Sequence, residues 1–430
     1  MAKMTFSAGA QAAANKVSDY FSEEDAKQES GKALLIAQMT LMTGALGELK
    51  GTLMKVGQMI SMYGEHILPP EANAILKTLQ SQSPPLEWKA IEKVIKRRLS
   101  PAQIETLVIE TEALASASLG QVHRATRKED GETLALKIQY PGVDKAIESD
   151  IKAMRRMLSM TKFIPGGHQY DELFKEIQEM LHREVDYRQE FKATAEFRDF
   201  LKDDPRYVVP KPVAELSGTK ILTTHFEAGF AVDSPEVAAL SQERRNLLGI
   251  AIYELFLREI FEFRKVQTDA HFGNYQIRIG DPEAGIPDQL ILFDFGAIRS
   301  VPVSYVNGYR KLIQGSATKN KALLEEGACE MGLLKETDAE ESKAIFAELC
   351  FLVMEPASLP PGQAYDWGKS DLTARAMPLG KKLAFAFKLR PPPREAVFIE
   401  RKTGGVFIFL NVLRAQFNPR PILEHYLNRK

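Results

Sequence analysis

Residues 266–299 read VQTDAHFGNYQIRIGDPEAGIPDQLILFDFGAIR, and this stretch restricts the possible folds more than any other. Asp269 and Asn274 stand five residues apart, and Asp294 follows twenty residues later, opening Asp294-Phe295-Gly296 at the end of the apolar run LILF. The order is a loop, a short hairpin and a turn. A loop carboxylate can take or orient the proton of an attacking hydroxyl or water. An amide oxygen and a second carboxylate are the hard ligands that Mg²⁺ takes beside nucleotide phosphates. Each piece alone is commonplace, since a loop aspartate usually caps a helix or closes a turn. The combination, at this spacing and in this order, favours a nucleotide site over a purely structural role.

The bulk properties exclude several classes. The 430 residues suffice for two or three domains. With 44% hydrophobic and 26% charged residues the chain is ordinarily globular, neither disordered nor low in complexity. A formal net charge of −1 gives no basic field for nucleic acid. Cys329 and Cys350 lie in helical-looking sequence and are too few for a disulfide framework or a zinc site, so a reducing cytoplasm is expected. No signal-peptide core stands out near the start, and no run of about 18 apolar residues predicts a membrane span. The nearest, residues 33–49, is interrupted by Gln38, Thr40, Thr43 and Glu48 and is read as a buried amphipathic helix.

Four regions follow along the chain. Residues 1–30 form a polar leader. Residues 31–100 are helical, including 53–71 with its mid-helix Gly57 and the amphipathic 88–100 with a basic outer face. Residues 101–225 bring strands, starting near Ile104. Within them 113–125 reads as a small-residue turn leading into an alternating strand, and 133–139 as a strand with Leu134, Leu136 and Ile138 on one face and Lys137 on the other. Strand, tight turn, strand, hairpin and strand with a single lysine is the order of a kinase small lobe. Its phosphate-covering turn would be Ala115, Ser116, Ala117, Ser118, Gly120 and Gln121, stiffer than a glycine-rich loop because alanine disfavours positive φ. Lys137 would pair with the α- and β-phosphates. A helical insert of about 144–201 carries Glu184, Asp186 and Glu190. On one continuous helix Asp186 and Glu190 share a face, and Glu190 or Glu184 would partner the lysine. Residues 226–430 are mainly helical, with a strong amphipathic helix over 244–263 before the opening stretch. No Ala-Pro-Glu follows the Asp-Phe-Gly turn, and Gln267-Thr268 precede Asp269 where ordinary kinases have His-Arg.

Six separated motifs resemble one family, the UbiB-like, AarF-domain (ADCK group) atypical kinases. They are LMKVGQ ending at Gln58, ASASLGQVH at 115–123, LALKIQYPGV at 134–143, REVDYRQE at 183–190, QTDAHFGN at 267–274 and LFDFGAIR at 292–299. The resemblance covers about 30–430. It implies an α+β, bilobal protein-kinase-like fold with an N-terminal helical extension and a mainly helical C-lobe. It makes Asp269 the catalytic-loop aspartate, Lys137 the nucleotide lysine and Glu190 its helix partner, with Asn274 and Asp294 as Mg²⁺ ligands. Lys55, Gly57 and Gln58 match the signature extension, and Glu184 and Asp186 the acids that engage it. The implied cofactors are ATP or ADP with Mg²⁺. The implied function is an atypical kinase or ATPase in ubiquinone or other isoprenoid-lipid metabolism, acting on an isoprenoid lipid or quinone precursor. Peripheral contact with a bacterial or organellar inner membrane is implied, and no nucleic acid. The Met-rich 33–62 segment reads as core, with a homodimer face or a lipid contact as the other options. A Ser/Thr protein kinase and a non-catalytic nucleotide-sensing scaffold are the alternative functions.

Overall fold

A computed structural model describes residues 55, 85–117, 119–160, 168–269, 271–387, 390 and 392–429. The leader, most of the 31–84 region, Gly57, Gln58 and Ser118 lie outside these residues. The chain divides into two compact units: residues 1–131, 136–186 and 219–221, and residues 132–135, 187–218 and 222–430.

In the first unit α1 (Trp88–Arg98) buries Ile91, Val94 and Ile95 at i, i+3, i+4 spacing and ends on Lys96, Arg97 and Arg98, which complement its C-terminal dipole. Strands do not begin at Ile104. That residue lies in a short helix, α2 (Pro101–Glu105), which Ser100 and Gln103 close with a reciprocal capping box and Pro101 starts. The first strand, β1 (Leu107–Ala117), pairs antiparallel with β2 (Gly120–Arg127), from Leu107↔Arg127 to Ala117↔Gly120. The small residues expected to form a turn are therefore the end of a strand. Ala115, Ser116 and Ala117 stand opposite Val122, Gln121 and Gly120, and ladder pairing outweighs the weak strand propensity of alanine and serine. The ladder shifts register between Ile109 and Ala113 and again before Ala115, absorbing the irregularity ahead of the turn. A turn with Gly131 at φ +73° leads to β3 (Thr133–Gln139), whose Leu134, Leu136 and Ile138 are fully buried as the alternation requires.

Two helices follow, α3 (Val143–Met160) and α4 (His168–Glu184). The helix does not run on through the acidic motif. Gln139 Nε2 donates to the Val185 carbonyl at 2.8 Å, and α4 stops at Glu184. The next helix, α5 (Tyr187–Leu201), opens the second unit. Asp186 thus stands outside both helices and shares no helical face with Glu190, which lies in the first turn of α5.

The second unit continues with β4 (Tyr207–Val208), β5 (Ile221–His225), β6 (Phe230–Ala231) and α6 (Pro235–Ala238). The division between units cuts through β3 and β5, which end a sheet of order β1-β2-β3-β5. Then comes α7 (Gln242–Phe261), expected to be amphipathic. It is instead buried almost all round over Leu248–Ile260, so it is the central core helix of its unit rather than a surface one. Gly249 allows this, because a Cβ there would lie 2.7 Å from that of Ala415. After it come β7 (Lys265–Gln267), β8 (Tyr275–Arg278), β9 (Gln289–Leu292) and β10 (Ile298–Ser300). Strands β8 and β9 form the expected hairpin in a sheet of order β4-β9-β8-β6, and β7 pairs with β10 through Gln267↔Ile298. The pairings put Asp269 and Asn274 between β7 and β8, and Asp294 between β9 and β10. Six helices finish the chain: α8 (Val303–Ala317), α9 (Lys321–Glu330), α10 (Glu340–Val353), α11 (Leu372–Ala386), α12 (Arg394–Val412) and α13 (Arg420–Asn428). A two-residue ribbon of β11 (Tyr365–Asp366) and β12 (Gln416–Phe417) packs with them. No helix among the described residues is long and apolar enough to cross a membrane.

Candidate functional site

The loop from β7 to β8 is organised on one atom, the backbone carbonyl of Asp269. It accepts from Gln267 Nε2 at 2.9 Å, from Asn274 Nδ2 at 2.8 Å and from the His271 N–H at 2.8 Å. Gln267 Nε2 also donates to the Asp294 carbonyl at 3.2 Å. One buried amide thus ties the Asp269 loop to the Asp-Phe-Gly turn. Thr268 adds two bonds to the Ala297 carbonyl, from its N–H at 3.1 Å and its hydroxyl at 2.8 Å. Asn274 donates its amide nitrogen to Asp269, which turns its Oδ1 the other way.

Asp294 sits at φ +60°, a left-handed conformation that a non-glycine residue adopts at a cost of about 1–3 kcal/mol unless its surroundings fix it. They do: Asp294 Oδ1 accepts from the Gly296 N–H at 3.2 Å, and Phe295 is buried against Phe197 of α5, ring centroids 5.0 Å apart. The same helix carries Glu190, only 4% exposed. A Cβ added at Gly296 would lie 3.3 Å from Asp294 Oδ1 and 3.4 Å from Glu190 Oε2, so both carboxylates converge on that glycine. Asn274 Oδ1 and the Asp294 carboxylate are oxygen donors of the hard type that would suit Mg²⁺. Among the described residues no group of three or more His, Cys, Asp or Glu could hold a metal ion.

Two residues not singled out from the sequence come in from α12. Arg401 donates to Asp269 Oδ1 at 2.5 Å, with side-chain exposures of 29% and 16%. Its neighbour Lys402 is fully buried and pairs with Glu259 of α7 at 2.8 Å, while reaching the Tyr275 hydroxyl at 3.3 Å. The other oxygen of Glu259 accepts from the Gln267 N–H at 3.0 Å. Burial pushes the Glu259 carboxyl up, and Lys402 opposes it. For Lys402 burial works downward, but Glu259 and Tyr275 outweigh it and hold the ammonium above its ordinary value. The 2.8 Å contact and the Gln267 N–H donor both suit a carboxylate paired with an ammonium. The available signal was the charged run Glu400-Arg401-Lys402 between the apolar stretches 396–399 and 406–410 of one helix, where a buried charge requires a partner.

In the first unit Lys137 lies on β3 between the buried Leu136 and Ile138. Lys55 and Glu184 form a largely buried ion pair at 2.6 Å. Gly120 opens β2, and Ala115, Ser116 and Ala117 close β1. Gln121, expected to touch nucleotide, is 1% exposed with its side-chain amide committed elsewhere. Its Oε1 accepts from the Leu86 N–H at 2.8 Å, and its Nε2 approaches the Leu86 carbonyl at 3.3 Å and His123 Nε2 at 2.8 Å. This side chain pins the segment before α1 to β2, so a nucleotide contact at this position falls to the backbone. His123 completes the pin through Nδ1 to the Glu110 carbonyl at 2.8 Å and by packing on the Trp88 ring.

Comparison with known proteins agrees with this arrangement. Residues 78–327 match the family model described as the ABC1 atypical kinase-like domain. The chain is 30% identical over 380 residues to the mitochondrial atypical kinase COQ8B of Danio rerio, covering 88% of this chain and 59% of that protein's length. It is 28% identical over 383 residues to the mitochondrial atypical kinase COQ8 of Saccharomyces cerevisiae, covering 88% and 74%. A solved complex of Rv3197 with erythromycin, from Mycobacterium tuberculosis, matches with TM-score 0.62 and 26% identity over 93% of this chain and 98% of that one. The expected α+β, kinase-like fold and the resemblance to the UbiB-like family are both borne out.

Proposed function

The chain belongs to the ABC1 atypical kinase-like family, and from that premise we propose that it binds ATP with Mg²⁺ and transfers or hydrolyses its terminal phosphoryl group. The observation that carries this reading is the Asp269 carbonyl, on which Gln267, His271 and Asn274 converge. A network this dense at a loop fixes the Asp269 carboxylate and the Asn274 amide oxygen in advance, as electrostatic catalysis requires. Asn274 and Asp294 would hold the metal, which neutralises phosphate charge when bound. Lys137 would bind the α- and β-phosphates, and Asp269 would orient the nucleophile. The backbone at Ala115–Ala117, Gly120 and Gln121 would bind phosphate oxygens.

The acceptor is water or a small lipid-pathway molecule rather than a protein hydroxyl. Kinship with the COQ8 atypical kinases supports a role in isoprenoid-quinone metabolism. The largely buried Lys55–Glu184 ion pair supports reading Lys55 and the acidic motif as acting together. The test is Asp294→Asn. Thermal stabilisation by Mg-ADP and ATP hydrolysis should both be lost, while the nucleotide-free protein melts as before. Retention of both would remove the metal assignment.

A further inference from the structure

Residues 267–274, QTDAHFGN, contain no lysine or arginine. The imidazole of His271 serves a local turn, accepting from the Gly273 N–H at 3.0 Å. Lys265, just upstream, is bonded to Glu196. Phosphoryl transfer spreads negative charge over the equatorial oxygens of the moving group, and sites of this class place a cation there. The loop has none of its own. The guanidinium of Arg401 lies on the Asp269 carboxylate at 2.5 Å.

We propose that Arg401 supplies from α12 the cation at the transferred phosphoryl group that the catalytic loop lacks, and that Lys402 is the positioning residue that keeps it there. The inference rests on the reading above. Arg401 is suited to it. A guanidinium stays charged and presents its N–H donors in a rigid fork, and the Arg401 side chain is 29% exposed beside Asp269. Its direction is set by its neighbour. Successive helical residues point about 100° apart, so anchoring Lys402 on Glu259 in the core turns Arg401 to the loop. Glu259 also holds the Gln267 N–H, so the anchor of α12 and the anchor of the loop are one carboxylate.

For hydrolysis, the water oxygen forms its bond to Pγ as the Pγ–O bond to ADP breaks. The electron pair of that bond leaves on the β-phosphate oxygen. The water proton passes by way of Asp269 to solvent, giving ADP, inorganic phosphate and H⁺. Arg401 stays protonated throughout and donates N–H to the equatorial oxygens.

The experiment compares the full-length protein with Arg401→Ala and Arg401→Lys. Arg401→Ala should lower kcat for Mg-ATP about 10²–10³-fold and leave the Kd for Mg-ADP within about threefold. Arg401→Lys should fall between, since it keeps the charge and loses the fork. Added guanidinium ion at millimolar concentration should partly restore Arg401→Ala, which a merely structural role would not do. A turnover-independent readout is affinity for Mg-ADP with aluminium fluoride. Wild type should prefer it over Mg-ADP at least about tenfold, as transition-state analogues are preferred, and Arg401→Ala should lose the preference. Unchanged or faster turnover with the preference intact would overturn the assignment while leaving the ATP-binding reading standing. Wild type that binds nucleotide without turnover leaves the aluminium fluoride comparison to decide. Wild type that binds no nucleotide overturns both.

Discussion

Replacing Lys402 with methionine tests the electrostatic core of the site. Methionine keeps the length of the side chain and removes the ammonium from a pair whose side chains are 1% and 2% exposed. Glu259 is left with the Gln267 N–H, and the buried Tyr275 hydroxyl loses its donor. Removing one partner of a buried pair costs about 3–5 kcal/mol, because the remaining charge is uncompensated. At about 2–4 °C per kcal/mol for a body of about 150–250 residues, the second unit should melt some 6–20 °C lower. The cost should depend on pH in a fixed direction. Burial raises the Glu259 carboxyl above its ordinary value of 4.5, and losing Lys402 raises it further. A raised folded pKa means that the native state binds more protons, so stability falls as pH rises through it and is restored below the unfolded value. The deficit of Lys402→Met against wild type must therefore shrink from pH 8 towards pH 5, other carboxylates cancelling between the two proteins. Adding Glu259→Gln should recover most of the loss, since glutamine still accepts from Gln267 N–H, with a coupling energy of about 1–3 kcal/mol in the cycle. Melting curves and urea titrations at both pH values measure all of this. A Lys402→Met protein melting within about 2 °C of wild type at pH 8, or a deficit that grows in acid, would refute an ionised buried pair.

Gln121→Ala should destabilise the first unit by about 1–3 kcal/mol, because it strands both Leu86 backbone groups and the inner nitrogen of His123. Urea unfolding followed by Trp88 fluorescence reads it, and an unchanged midpoint would contradict the pin. The same assay tests His123, whose pKa burial lowers against two backbone acceptors that raise it. The unfolded state then binds more protons, so wild-type stability should fall as pH drops below about 6.5, and a flat profile from pH 7.5 to 5.5 would count against a buried neutral imidazole. Gly296→Ala should weaken Mg-dependent ADP binding about threefold to tenfold, a loss of order 1 kcal/mol, since its Cβ would crowd the Asp294 and Glu190 carboxylates at 3.3 and 3.4 Å. Calorimetric titration with and without Mg²⁺ checks it, and a loss independent of metal would point away from Asp294.

The second unit's site frame was legible because it is local. Asp269, Asn274 and Asp294 are read from one stretch, and the β8–β9 hairpin between them follows from the apolar runs and the turn residues. The alternation of Leu134, Leu136 and Ile138 likewise fixed β3. What the sequence hid depended on distant partners. The stop of α4 before Asp186 follows from Gln139 taking the Val185 carbonyl, 46 residues away, which no helical periodicity reveals. Ala115–Ala117 read as a turn by composition and became strand because β2 supplies the ladder. Gln121 looked like a loop contact until Leu86 and His123 claimed its amide. Arg401 reaches Asp269 across 132 positions, and only the rotation of α12 brings them together.

That rotation also bears on control. In kinases regulated through an activation segment, an arginine beside the catalytic aspartate receives the phosphate, so the aspartate is set only when the segment is ordered. Here Thr268 occupies that place, bonded twice to Ala297. The chain returns from Asp294 directly into β10, which pairs with β7 ahead of Asp269, and α8 begins at Val303. A segment this short, already laddered to the catalytic loop, has no second position to adopt without breaking β7–β10. The cation on Asp269 comes instead from a helix whose next residue is locked into the core. On the proposed reading, the Asp269 loop is set by the packing of α12 rather than by a phosphate on the following segment. On that reading, control of the site acts on α12 rather than on the order of the residues after the Asp-Phe-Gly turn.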